Sequence, residues 1–145
     1  MTLTLKNYHL DGLNKILDVP LSGGEARKRS RFVKCLTERR QENEVNRQEI
    51  LKKVCSKDEK GEPIIEVHGE GQEQVKTFKL TDEAKAQFQK EFEEMVREDF
   101  VLEINAENLE EFKLAKKLVL ECGIEFSGEE SKLYDEVCNA FEKAE

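Results

Sequence analysis

The chain has no tryptophan, two prolines, two histidines and four cysteines among 145 residues. Each scarcity excludes something. With so little proline, long stretches carry no helix breaker, so long helices are open to it. The cysteines, Cys35, Cys55, Cys122 and Cys138, include no C-x-x-C pair, which argues against a zinc ribbon or a dense disulfide framework. Each lies beside apolar residues, so free buried thiols in a reducing compartment are expected. No apolar run approaches the ~18–20 residues of a membrane-spanning helix. The opening "MTLTLKNYHL" lacks the basic start and apolar stretch of a signal peptide. These absences together predict a cytoplasmic protein.

What is abundant is charge. Charged residues make up 39% of the chain and hydrophobic ones 37%, a balance that suits solvated helices over a modest single core. The net charge of −8 is unevenly placed. Residues 1–80 hold 16 Lys/Arg against 13 Asp/Glu, whereas residues 81–145 hold 8 against 19. Such asymmetry predicts either partners of opposite character or two halves that attract one another.

Apolar spacing predicts a mainly α (α+β) fold with about five helices. Leu10, Leu13 and Ile16/Leu17 mark a short amphipathic helix over 5–18, with His9 on it. From Gly24 to about Lys57 nothing interrupts the chain, and a helix there would be about 50 Å long. Its middle, "TERRQENE", offers no core face and predicts a kink or break. "IIEV" and "VKTFKL" flank "HGEGQE", the signature of a β-hairpin, and "FVLEI" at 100–104 is the candidate third strand. Thr81 followed by Asp82 and Glu83 starts another helix, with Phe88, Phe92 and Met95/Val96 inward. Further helices run from about Glu107 to Cys122 and from about Gly128 onward. The expected organisation is one domain over 1–145. Residues 58–81 form a hairpin insertion between the long basic helix and the acidic C-terminal helices.

Residues 21–31, "LSGGEARKRSR", spell the signature loop of transporter ATPases over five letters. That loop works only beside a phosphate-cradling G-x-x-x-x-G-K-[ST] segment and a covered parallel sheet, and neither pattern is present. The same letters form S-x-x-E from Ser22 to Glu25, a capping box that starts a helix, and the pattern recurs from Ser127 to Glu130. Leu21 and Phe126 each stand where a hydrophobic staple belongs. Behind the first box follow Arg27, Lys28, Arg29, Arg31 and Lys34, then Arg39 and Arg40. On a helix Arg27, Arg31 and Lys34 share one face with Lys28 close by, a candidate docking site for a phosphate ligand or an acidic partner. The negative net charge and the lack of interleaved aromatics argue against nucleic acid. An acidic surface, including the chain's own C-terminal half, suits the stretch better.

Catalysis finds little support. His9 and His68 have no nucleophile at a telling spacing. The acidic runs "EFEEMVRED" and "ENLEEF" lack the alternating oxygen ligands and glycine of a calcium loop. No catalytic residue, metal site or cofactor is expected.

Four stretches, "ARKRSRFVKCL", "KDEKGEPI", "DFVLEI" and "FSGEESKLYDE", together resemble an uncharacterised family from tailed phages and prophages of Gram-positive bacteria, domain of unknown function 1617. The doubled glycine followed by Glu25 departs from that family's pattern. The resemblance implies a phage gene product acting in an infected or lysogenic bacterial cytoplasm, or associated with the virion. It supplies no catalytic residues. The expectation is a non-enzymatic accessory protein that binds a phage or host protein, in virion or tail assembly or against a host factor or defence system. Homo-oligomerisation is open. The alternative is a phosphate-ligand binder using the basic helix start at 24–40.

Overall fold

Alternation, not helical spacing, governs the first residues of the structure, a computed structural model that describes residues 1–144. Thr2–Lys6 is a strand, β1, with Leu3 and Leu5 fully buried and Thr2 and Thr4 exposed. A two-residue period puts both leucines on one face of a strand, whereas on a helix they would point to nearly opposite sides. The helix expected over 5–18 is therefore shorter. A single 3-10 turn at Asn7–His9 leads into α1, Leu10–Leu17. Leu10, Leu13, Ile16 and Leu17 are its buried stripe.

The described residues divide into two compact units, one made of Met1–Gln41 with the chain from Val96 onward, the other of Glu42–Met95. In the first, β1 pairs antiparallel with β4, Asp99–Glu103, in the register Leu3↔Leu102 and Leu5↔Phe100. "FVLEI" thus does not become a third strand of the hairpin. Its alternate apolar residues, Phe100 and Leu102, match the leucines of β1 and pack against the core. Helices α4, Leu109–Leu120, and α5, Glu129–Lys143, complete that core with Phe112, Ala115, Val119, Val137 and Phe141. Phe141 stacks on Phe112 at 5.6 Å between ring centres and meets Phe32 at 6.2 Å.

Phe32 and Leu36 are the two buried residues of α2, Gly23–Val54. This helix is continuous over 32 residues, about 48 Å at 1.5 Å per residue, and the break expected in "TERRQENE" is absent. No glycine or proline interrupts that stretch, and side chains along it tie successive turns together. Glu44 accepts from Arg47 at 2.9 and 3.0 Å and from Gln48 at 3.2 Å. Such pairs at i,i+3 and i,i+4 support an exposed helix that has no core to lean on.

The second unit holds the C-terminal part of α2, the hairpin strands β2, Ile65–His68, and β3, Val75–Phe78, and helix α3, Asp82–Val96. Thr81 caps α3 as expected, its hydroxyl accepting the Ala84 amide at 3.1 Å. Phe88 and Phe92 stack at 5.5 Å, half-buried, and Lys53 pairs with Glu91. At the hairpin turn Gly69 has φ +90°, and a Cβ there would lie 2.6 Å from the Glu73 carbonyl oxygen, so only glycine fits. Mainly helical architecture with small antiparallel β elements is what the sequence predicts. The β elements are two separate two-stranded sheets, β1–β4 and β2–β3.

Candidate functional site

The six basic residues singled out in the sequence divide into two groups. Arg31, Arg39 and Arg40 meet carboxylates of their own chain. Arg31 lies 3.6 Å from Glu111, Arg39 lies 3.9 Å from Glu98, and Arg40 bonds Asp11 at 2.8 Å. Arg39 also donates to Asn7 Oδ1 at 2.9 Å and to the Asp99 carbonyl at 3.3 Å, which ties α2 to both strands at one end of the β1–β4 pair. Two of these acids, Glu98 and Glu111, belong to the acidic C-terminal part, so the attraction between halves is realised within one molecule. Arg27, Lys28 and Lys34 are exposed and form no ion pair among the described residues. Arg29 is structural: its guanidinium donates to the Leu17 carbonyl at 3.2 Å and to that of Val19, which fixes the chain where α1 ends.

The two S-x-x-E stretches are not equivalent. Ser22 immediately precedes α2, and its carbonyl accepts the Ala26 amide at 2.8 Å, with Glu25 in the first turn. At the second stretch the cap is not Ser127. Gly128 occupies the N-cap with φ +59° and makes no side-chain cap, which moves Glu130 into the second helical position, too early for the box. A positive φ is accessible to glycine at no steric cost, so the chain turns there and the helix starts one residue later.

The most organised polar group is built on His9, whose carboxylate partner lies far along the chain. His9, 7% exposed, is held from two sides. Its Nδ1 accepts the Lys6 amide at 3.0 Å, and its Nε2 is 2.6 Å from Glu136 Oε2, which also accepts from the Tyr8 hydroxyl at 3.2 Å. A backbone amide only donates, so Nδ1 is the unprotonated nitrogen and Nε2–H points at the carboxylate. Both ring nitrogens are spent, which leaves none to take a proton from a substrate. The dyad clamps the β1–α1 turn to α5. The hydrogen bond from His9, aided by that from Tyr8 and by nearby Lys132, holds the Glu136 carboxyl below the usual range against the opposing effect of its burial.

Beside this clamp the facing sides of α1 and α5 leave a cleft of about 180 Å³. Ile16, Leu133 and Val137 line it with the rings of Tyr8, Phe126 and Tyr134. Phe126 and Tyr134 stack at 4.9 Å, and the Tyr134 hydroxyl donates to the Val119 carbonyl at 2.7 Å. Burial, with the neighbouring Cys138 thiol, pushes the Tyr134 hydroxyl up to about 12. Gly12 opens onto the cleft, and a Cβ placed there would meet nothing within 4 Å. A glycine inside a helix costs roughly 0.5–1 kcal/mol relative to alanine, and no neighbour of this chain requires it. Lys15 and Glu130, both exposed, also line the cleft.

All four cysteines are free; Cys55 is buried and the other three are half-buried. Burial pushes the Cys35 and Cys138 thiols up, which keeps them from thiolate chemistry at neutral pH. His68 lies on β2, bonded to Thr77 Oγ1 at 3.0 Å. Around it the hairpin is exposed on both faces: Ile65 is 46%, Val67 52% and Val75 57% accessible. No helix among the described residues is long and apolar enough to cross a membrane.

The signal that a reading by spacing lacked is distance along the chain. His9 and Glu136 are 127 positions apart, and only the packing of α5 beside the first turn brings them together. Comparison with protein-family models, with curated proteins and with solved structures returned no match.

Proposed function

We propose that this chain works without catalysing a reaction, by binding another protein, as a phage accessory protein in virion or tail assembly or against a host factor. The phage context rests on the family resemblance of the sequence. What supports protein binding is the hairpin. Ile65, Val67 and Val75, all β-branched, stay about half exposed, although a strand residue of this type is normally packed. Covering each on a partner would contribute about 1 kcal/mol, since full burial of such side chains is worth about 1.5–3 kcal/mol. The sheet has only two strands, so each also presents an outer edge to which a partner strand can add.

The test is affinity capture from infected cells with the wild-type chain and with a Val67→Glu, Val75→Glu variant. A specific partner retained by the first and lost by the second is the expected outcome. Equal retention by both removes the hairpin from the reading. A monomer that captures no partner from host or phage defeats the reading itself.

A second reading is favoured by one observation, the exposure of Arg27, Lys28 and Lys34 without intramolecular carboxylates at the start of α2. They would bind a phosphate ligand, nucleic acid or nucleotide, with an affinity that falls steeply with salt. Titration of short DNA, short RNA and nucleotides at low salt tests it, and a flat response in all three ends it. If binding is seen, Arg27→Ala with Lys34→Ala should weaken it.

A further inference from the structure

The cleft between α1 and α5 has the walls of a ligand site, and we infer that it binds a small zwitterion with a ring-sized apolar body, of the class of a free aromatic amino acid. Size comes first. The cleft holds about 180 Å³, and an apolar cavity of about 150 Å³ is enough for a benzene ring. Wall chemistry comes next. The polar atoms that reach the lining are already engaged: His9 through both nitrogens, Tyr8 on Glu136, Tyr134 on the Val119 carbonyl. Away from the exposed Lys15 and Glu130, the walls therefore offer apolar and aromatic surface with no spare hydrogen-bond donor, which favours a ring there and disfavours a polar group that would be left unpaired.

Gly12 stands in the first turn of α1 among the lining residues, and no atom of the chain would meet a Cβ placed there.

The charges of the lining complete the assignment. Lys15 and Glu130 have opposite sign, come from opposite walls, and make no ion pair with each other or with any described residue. A carboxylate on the guest complements Lys15, and an ammonium complements Glu130. A head bearing both satisfies the pair, while a singly charged or neutral head leaves one or both unused.

The experiment titrates the full chain with L-phenylalanine, 3-phenylpropionate, phenethylamine and benzyl alcohol, followed by NMR shifts of the Phe126 and Tyr134 rings. Phenylalanine should bind tightest, with a dissociation constant of about millimolar. Lys15→Ala and Glu130→Ala should each weaken it by roughly two- to fivefold, the effect of one exposed charge contact. Both positions are exposed, so neither change threatens the fold. Gly12→Leu should fill the cleft and abolish binding while the melting temperature holds or rises. Benzyl alcohol or either singly charged analogue binding as well as phenylalanine overturns the zwitterion assignment. No shift with any of the four overturns the site.

Discussion

Replacing Glu136 separates two roles of one carboxylate. In Glu136→Ala the Nε2–H of His9 loses its only acceptor among the described residues, and at 7% exposure the ring cannot turn to water while Nδ1 holds the Lys6 amide. A buried donor left without a partner costs about 1–3 kcal/mol. Tyr8, 39% exposed, can rebond to solvent and adds little. Glu136→Gln keeps an oxygen in place and forfeits only the charge assistance, about 0.5–1.5 kcal/mol. For a chain of this size the alanine variant should lower the melting temperature by roughly 4–10 °C, and the glutamine variant by about half as much. Thermal unfolding followed by far-ultraviolet circular dichroism measures both. The pH dependence carries the same logic. The folded carboxyl titrates below its unfolded value, so its stabilisation is complete above the ordinary carboxylate range and disappears as pH falls through the folded value. The gap between wild type and Glu136→Gln should therefore close in acid. Equal losses in the two variants, or a gap that widens on acidification, would refute the assignment of Glu136 as the charged acceptor for a buried histidine.

Phe141→Ala should destabilise by about 3–5 kcal/mol in denaturant titration, because the ring is fully buried against Phe112 and Phe32. Arg39→Ala removes hydrogen bonds to Asn7 and the Asp99 carbonyl and should cost about 1–2 kcal/mol, whereas Arg27→Ala should stay within about 0.5 kcal/mol. An inverted order in the same titration would contradict the division of the basic stretch into paired and unpaired residues. With two tyrosines and no tryptophan, the near-ultraviolet absorbance of tyrosinate reports both hydroxyls directly. Tyr134 should ionise near 12, and Tyr8 should also ionise above its ordinary value. The stability that Tyr134 contributes is then intact below the ordinary tyrosine range and lost as pH rises through about 12.

Local signals proved sufficient for several elements. The Thr81 cap is in place, the hairpin forms around Gly69, and the long helix begins directly after Ser22. Where the reading went astray, two local patterns competed. The helical spacing of Leu10, Leu13 and Ile16/Leu17 was carried back to residue 5, but Thr2-Leu3-Thr4-Leu5 fits a strand, and β4, far along the chain, was available to pair with it. At Ser127 the box spelling was outweighed by a glycine free to take a positive φ. In "TERRQENE" a missing apolar face suggested a break, yet an uninterrupted run with side-chain pairs needs no core to remain helical.

The amino-acid sequence by itself determined what depends on near neighbours: helical class, hairpin, helix starts and a basic stretch behind Ser22. These follow from propensity, capping and periodicity, which act over a few residues. Only the tertiary structure decided which arginines are consumed by the chain's own carboxylates and which remain outward, and that β1 pairs with β4. It alone joined His9 to Glu136 and opened a cleft at Gly12. Those outcomes depend on which distant segments share a core, and burial, unlike periodicity, is a property of the whole folded chain.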